Sequence, residues 1–515
     1  MESILVNNLL DPGCFDHDVT ELKLIETHIA WLITTGEYVY KIKKPVNFGF
    51  LDFTTLEQRR FYCEEELRLN QRMSSDLYLE VVTIGGSEEH PRIAQTDNPL
   101  EYAVKLRQFE GGQLLSDLLE QDRFKSEWLE QLAIKVADFH TRAPIVSPDS
   151  IWGEADSILQ MSEDNYQQID KTLLSHEDIL ELERLEQVNA KRFANLEHLF
   201  RARKVDGYVR ECHGDLHLGN ITLSDNRLVV FDCIEFNLEF RWIDRIADLA
   251  FLLMDLEARG HFRGANLCLN RYIEHSGDFH GSLLLHHYKA FRSMIRAKVA
   301  MLGETPDLVE FRRYLRLTSE YAQPHKPLLL MMHGCSGTGK STLAKELGAH
   351  IGAVRVRSSI ERQRIYRELS LQGQQIELHG ADMDTRTFLR IEQISEMLLR
   401  SGQTVIIDAT FLKHRTRRRF EQLADRLGCP LRIIACSAPL DVIRQRLTRR
   451  QLESDSETEA DFEVYAQQCQ RAEPLNAGEQ AIALNADTSE SDPSDLAAAL
   501  VTDLAAQGLV VPVIN

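Results

Sequence analysis

The feature that most constrains this chain is the run Gly334-Cys335-Ser336-Gly337-Thr338-Gly339-Lys340-Ser341, which fits Gly-x-x-x-x-Gly-Lys-Ser. It stands between an apolar run, Pro327–Met332, and a helical pattern, Thr342–Ala349. A strand, a glycine-rich turn and a helix in that order make a phosphate-binding loop. The glycines let backbone N–H groups turn inward on an anion, and the helix N-terminus adds positive potential. Residues Gly334 to Thr342 are therefore read as nucleotide-binding, with Lys340 reaching the outer phosphates and the Ser341 hydroxyl ligating magnesium.

The residues after this loop continue the theme. Strand patterns at Leu328–His333, Ala353–Arg357, Thr404–Asp408, Leu431–Cys436 and Ala481–Ala486 alternate with helical patterns such as Thr385–Arg400 and Arg415–Leu427. That alternation predicts an α/β P-loop domain with a parallel sheet and its ligand at the strand carboxyl ends. Asp408 closes the apolar strand Thr404–Ile407 and is the expected second metal-side group. Arg444, Arg446, Arg449 and Arg450 precede the acidic stretch Glu453–Asp461, the pattern of a lid that brings an arginine to the phosphates. Arg446 is taken as that contact. The most basic run, Lys413–Arg419, reads as a solvated helix start, with a substrate-phosphate contact as the alternative; without interleaved aromatics it does not favour nucleic acid.

At 515 residues the chain has room for two domains. The two-proline connector Ala322–Pro327 sets their expected boundary, residues 1–322 and 323–515. The net charge of −20 falls almost wholly before residue 323. Such acidity argues against non-specific nucleic-acid binding. It suits a cationic substrate, although a solvated acidic surface explains it more simply. Nine cysteines without a Cys-x-x-Cys pair fit free thiols in a reducing cytoplasm. No apolar run has membrane-spanning length, and the first residues lack a signal pattern, so the expected location is cytoplasmic and no membrane partner is expected.

The first part reads as strands followed by helices, a two-lobed α+β arrangement. Thr27–Thr34 and Glu37–Lys44 are expected strands, and alternation puts Lys41 and Lys43 on one face. Thr54 with Glu57 is the expected capping box of a helix carrying Glu64-Glu65-Glu66. Further on stands His213-Gly214-Asp215-Leu216-His217-Leu218-Gly219-Asn220, then the strand Leu228–Phe231 and Asp232. A carboxylate at Asp215 accepts or orients the proton of an attacking hydroxyl. Asn220 and Asp232 offer oxygen ligands to magnesium, the hard cation that bridges ATP phosphates.

His213–Asn220 with Asp232 resembles the aminoglycoside phosphotransferase and choline-kinase superfamily, which has the protein-kinase fold. Arg241-Trp242-Ile243-Asp244, Asp248-Leu249-Ala250-Phe251 and Tyr40–Pro45 extend the likeness, which is greatest to a bacterial group of aminoglycoside-phosphotransferase-like proteins. The resemblance implies that Lys41 clamps the inner ATP phosphates and pairs with a helix glutamate. Glu65 is chosen for that pair, with Lys43 and Glu66 as the alternatives. It further implies that Gln108–Glu110 forms the hinge beside adenine and that Asp248 braces the catalytic loop. Thr27-His28 stands where a Gly-x-Gly-x-x-Gly would cover the phosphates.

Residues 328–475 resemble the P-loop kinases of the zeta-toxin and polynucleotide-kinase type. Relatives commonly carry an Asp, the proposed base, where this chain has Ser359; Glu361 is the nearest substitute. The whole reading is a bifunctional phosphotransferase that uses ATP and Mg²⁺ and acts on a hydroxyl of a small molecule. The alternatives are an N-terminal kinase regulated by a non-transferring P-loop domain, and a toxin or nucleic-acid 5′-kinase.

Overall fold

Six strands near the N-terminus build one antiparallel sheet: β1 (Lys23–Glu26), β2 (Ala30–Thr34), β3 (Tyr38–Lys43), β4 (Tyr78–Gly86), β5 (Pro91–Ile93) and β6 (Glu101–Arg107), in the order β1-β2-β3-β6-β4-β5. The computed structural model describes residues 4–302, 305–324, 326–375, 377–453 and 462–510. The expected strand from Thr27 begins only at Ala30. Thr27 N–H donates to the Ala30 carbonyl at 2.9 Å, so Thr27–Ile29 form the turn that joins β1, an unexpected strand, to β2. Side chains alternate across β3: Tyr40 and Ile42 enter one core with Ile33, Ile84 and Ala103, while Val39 joins Cys63, Val104 and Leu106 on the other face. Lys41 and Lys43 therefore point to the same side as Val39.

The helix Leu56–Ser74 covers that second face. Its buried residues include Arg59, Cys63, Glu66 and Asn70, three and four apart as an inward stripe requires. Its cap differs by one residue from the expectation. Thr55 and Gln58 form the capping box, because Thr54 is held in a turn by the Asp52 carboxylate, which accepts from its N–H and hydroxyl at 3.0 and 2.7 Å.

Beyond the sheet the chain is mainly helical. The long helix His176–Val205 is capped by Ser175 and Asp178. Two short antiparallel pairs frame the catalytic-loop motif: β7 (Val209–Glu211) with β10 (Trp242–Asp244), and β8 (Ile221–Ser224) with β9 (Arg227–Val230). Asp225 and Asn226 join β8 to β9 with φ of 48° and 59°, a two-residue turn whose twist matches the hairpin.

Five parallel strands form the second sheet: β11 (Leu329–His333), β12 (Val354–Arg357), β13 (Val405–Asp408), β14 (Leu431–Ser437) and β15 (Ala483–Asp487), ordered β12-β13-β11-β14-β15. All five lie within two residues of their expected positions. β11 is wholly apolar and fully buried up to Met332, as a central parallel strand must be.

The chain divides into two compact units, residues 1–255 with 287–318, and residues 256–286 with 319–515. The packing thus departs from one cut at the connector. The helix Phe262–Ser276 belongs to the second unit, where Asn270 acts as an extension of the sheet edge. Its amide accepts from Arg355 N–H at 2.7 Å and donates to the Ala353 carbonyl at 2.9 Å. Among the described residues, no helix is long and apolar enough to cross a membrane.

Candidate functional site

In the first unit, Lys41 Nζ lies 2.8 Å from Glu66 Oε1 and 2.6 Å from Asp232 Oδ1. Lys43 Nζ takes the other oxygen of Glu66 at 2.7 Å and also pairs with Glu235. Glu66, not Glu65, is therefore the partner of Lys41. One residue along a helix is a rotation of about 100°, which carries Glu65 off the buried stripe to Arg68 at 2.8 Å and Arg241 at 3.0 Å. Burial opposes the charge on Glu66, but Lys41 and Lys43 outweigh it and hold the carboxyl at about 2. For Lys41 the same contest keeps the ammonium well above its ordinary value, with Asp232 the larger stabilising charge.

The helix Leu56–Ser74 also fixes the backbone around Asp232. Asn70 Oδ1 accepts from Cys233 N–H at 2.9 Å, and Ser74 donates to the Val230 carbonyl. Tyr78 in β4 receives Asp232 N–H at 3.2 Å. These contacts hold Asp232 at φ 65°, a left-handed conformation uncommon outside glycine and characteristic of functional loops.

Asp248 organises the catalytic-loop motif. Its two oxygens accept from His213 N–H at 3.0 Å and Gly214 N–H at 2.9 Å, and His140 Nε2 lies 3.1 Å away. Asp255 likewise receives Leu218 N–H at 2.9 Å. The turn is tight at Gly214, φ 89°, where a Cβ would meet the Phe240 carbonyl at 2.7 Å. Asn220 Nδ2 donates to both the carbonyl and the carboxylate of Asp215 at 3.0 Å. Gly219 N–H donates to His217 Nδ1, which leaves the proton on Nε2, 3.4 Å from Asp215 Oδ2. Burial raises the Asp215 carboxyl, but the His217 hydrogen bond and positive neighbours, Arg292 among them, bring it to about 2. Gln108 ties the β2–β3 turn to the strand end by accepting from Gly36 N–H at 3.0 Å. Asp232 and Asn220 present oxygens, the donor type that suits Mg²⁺, and a bound ion there would neutralise phosphate charge.

In the second unit, Lys340 Nζ donates to the Cys335 carbonyl across the loop at 2.7 Å, and Ser341 Oγ donates to Asp408 Oδ1 at 3.0 Å. Asp408 Oδ2 is buried and without a hydrogen-bond partner among the described residues. Its charge is met by the Arg357 guanidinium at 3.5 Å, and a carboxylate beside a serine hydroxyl is the oxygen donor set that suits a hard divalent cation. Close approach explains two loop glycines. A Cβ on Gly334, φ 137°, would lie 2.6 Å from the Cys436 carbonyl, and one on Gly339, φ 79°, 2.7 Å from Thr488 Oγ1.

Thr488 was not legible in the sequence, yet it buttresses the loop. Its hydroxyl donates to the Thr338 carbonyl at 3.0 Å and accepts from Arg446, whose other nitrogen donates to the Thr488 carbonyl at 2.6 Å. Arg446 is thus engaged with Thr488 and the Gly337 carbonyl rather than directed to a free position. Apart from Glu453, the acidic stretch Glu453–Asp461 lies outside the described residues.

The basic run is neither solvated nor poised for substrate at its centre. Arg417 is fully buried, holds Glu479 through two nitrogens at 2.7 and 3.0 Å, and donates to the carbonyls of Phe411, Glu473 and Pro474. Glu361 is buried between Arg364 and Arg390, which engage its carboxylate. It is therefore not a free substitute for an acid at Ser359, which is itself exposed.

A family model described as "Phosphotransferase enzyme family" matches residues 63–274, and one described as "AAA domain" matches residues 329–475. Residues 63–274 are a phosphotransferase-family domain, followed by a P-loop kinase-like domain. The protein is a kinase. Proteins of Mycobacterium tuberculosis (strain H37Rv) and Mycobacterium bovis, both described as uncharacterized, are 29% identical to this kinase over 455 residues, covering 85% of its chain and 89% of theirs. Among solved structures, a choline/ethanolamine kinase family protein from Mesorhizobium loti matches 60% of this chain and 90% of its own at 10% identity and TM-score 0.39. A gluconokinase from Sinorhizobium meliloti matches 36% and 98% at 15% identity and TM-score 0.26.

Proposed function

We propose that the first unit transfers the γ-phosphate of ATP to a hydroxyl of a small molecule and that the P-loop unit binds Mg-ATP. The observation that carries the reading is the grouping of Lys41, Glu66 and Asp232 by direct ion pairs, and of Asp215 with Asn220 by hydrogen bonds. Lys41 clamps phosphate, Asn220 and Asp232 hold the metal, and Asp215 orients the attacking hydroxyl and receives its proton. A carboxylate at about 2 is a weak base, so its main contribution is orientation, with proton uptake late in the transfer.

The acceptor carries a negative charge beside its hydroxyl. Arg292 is buried, and its Nε has no hydrogen-bond partner among the described residues. Its guanidinium lies 4.9 Å from the Phe251 ring centroid, and that ring is 5.4 Å from the His217 ring beside Asp215. Asp248 and Asp215 act on this buried guanidinium, and its unpaired Nε leaves a donor that suits an anionic group on the acceptor better than the cationic one that net charge alone suggests.

For the P-loop unit, the engaged Glu361 and the exposed Ser359 favour nucleotide binding and hydrolysis without transfer to a hydroxyl. The test is ATP turnover by the full chain and by Asp215→Ala and Lys340→Ala, with and without a metabolite extract. Extract-stimulated turnover should vanish in Asp215→Ala and persist in Lys340→Ala. Stimulated turnover that survives Asp215→Ala would overturn the assignment.

A further inference from the structure

Seven of the nine cysteines are buried; the two that are not, Cys335 and Cys469, face each other with their sulfurs 3.4 Å apart. Cys335 is the second residue of the phosphate-binding loop, and Cys469 is exposed on the helix Phe462–Arg471. The neighbouring residues make a second contact between the same segments, for Gln468 Oε1 accepts from Ser336 N–H at 2.7 Å. That amide belongs to the set a P-loop turns toward phosphate oxygens. A side-chain oxygen there occupies an anion's hydrogen-bond donor. The Cys335 carbonyl, meanwhile, holds Lys340 at 2.7 Å.

We infer that Cys335 and Cys469 form a reversible disulfide that clamps the helix Phe462–Arg471 on the phosphate-binding loop and weakens nucleotide binding there. A disulfide needs its sulfurs about 2.05 Å apart, so the pair must close by little more than an ångström. The oxidant is a low-molecular-weight disulfide such as oxidised glutathione. The exposed Cys469, as thiolate, attacks one glutathione sulfur, breaking that S–S bond and releasing one glutathione thiolate. Cys335 then loses its proton to solvent and attacks the Cys469 sulfur of the mixed disulfide, releasing the second glutathione. Two protein thiols are oxidised, one glutathione disulfide is reduced to two thiols, and the protons balance. Burial and the neighbouring Cys469 push the Cys335 thiol up to about 12, in keeping with its acting second, when the leaving glutathione is already in place.

This inference rests on the P-loop being a nucleotide site, but its covalent part is read independently. The native full chain is incubated with oxidised glutathione, digested, and searched by mass spectrometry for the Cys335–Cys469 linked peptides. A fluorescent ATP analogue is titrated before oxidation, after it, and after dithiothreitol, with Lys340→Ala reporting the share of binding outside the loop. The expected result is the linked peptide, an approximately tenfold or greater loss of loop affinity, and full recovery on reduction. Cys469→Ser, outside the loop, should show neither the link nor the loss of affinity on oxidation. Stable glutathionylation of Cys469 without the link, or the link without loss of affinity, would overturn the proposal. Absence of loop binding in the reduced protein would instead strike the nucleotide-site reading.

Discussion

Glu66 answers two lysines at once: its Oε1 stands 2.8 Å from Lys41 and its Oε2 2.7 Å from Lys43, with all three side chains largely withdrawn from water. Glu66→Ala leaves two buried ammonium groups short of a counter-charge. Removing one member of a buried ion pair costs about 3–5 kcal/mol, so a marked fall in melting temperature is expected. Glu65→Ala removes a pair with the half-exposed Arg68 and one with the buried Arg241, which keeps Glu211 as a partner, so it should lower the melting temperature less than Glu66→Ala. Calorimetric melting of the two variants checks this.

The same pair sets an acid limit. The Glu66 carboxyl is held at about 2, below its ordinary value of 4.5. The folded state therefore binds this proton less readily than the unfolded state, and stability falls as it is forced on. The contribution is complete above about pH 4.5 and is lost as pH drops toward 2. Urea unfolding of wild type and Glu66→Gln across this range should show their stability difference shrinking on acidification.

Lys340→Ala removes a charge-assisted contact to phosphate, a contribution of about 1.5–3 kcal/mol. Nucleotide affinity of the P-loop unit should fall roughly 10- to 100-fold, while phosphate transfer that depends on Asp215 continues. Equilibrium binding measured beside turnover separates the two.

Arg292→Gln keeps the side chain's bulk and hydrogen-bonding capacity but deletes its charge. Once an acceptor is in hand, its KM should rise about tenfold, the loss of one charge-assisted interaction, with ATP affinity unchanged. A fall in KM for the natural acceptor would point to a cationic compound instead.

Arg417 carries the opposite expectation from its place in the most basic run. It is fully buried and bound to Glu479 and three carbonyls, so Arg417→Ala should destabilise the second unit by about 3–5 kcal/mol. Arg418→Ala, on the exposed side of the same helix, should change melting and nucleotide affinity little. Chemical denaturation of both variants tests the contrast.

Signals confined to one element were legible in the chain. Gly334–Ser341, the five strands of the parallel sheet, and the run His213–Asn220 with Asp232 each depend on local spacing, because a phosphate loop, a buried parallel strand and a tight catalytic turn are built from consecutive backbone. The shared face of Lys41 and Lys43 is also local, a consequence of strand alternation.

What the sequence left open were choices settled by distant partners. Glu65 and Glu66 are equally acidic and adjacent, and only the position of β3 against the helix decides which one meets Lys41. Arg417 and Arg418 look alike in the chain, and it is Glu479, 62 residues away, that draws one into the interior. Thr488 carries no motif and acts only because β15 ends beside β14, where Thr488 N–H reaches the Ser437 carbonyl at 3.0 Å. The sequence by itself determined the two domain types and the strand-by-strand form of the P-loop unit. Tertiary structure decided which charges are buried together, because the energy of a buried charge depends on its neighbours in space and not on those in the chain.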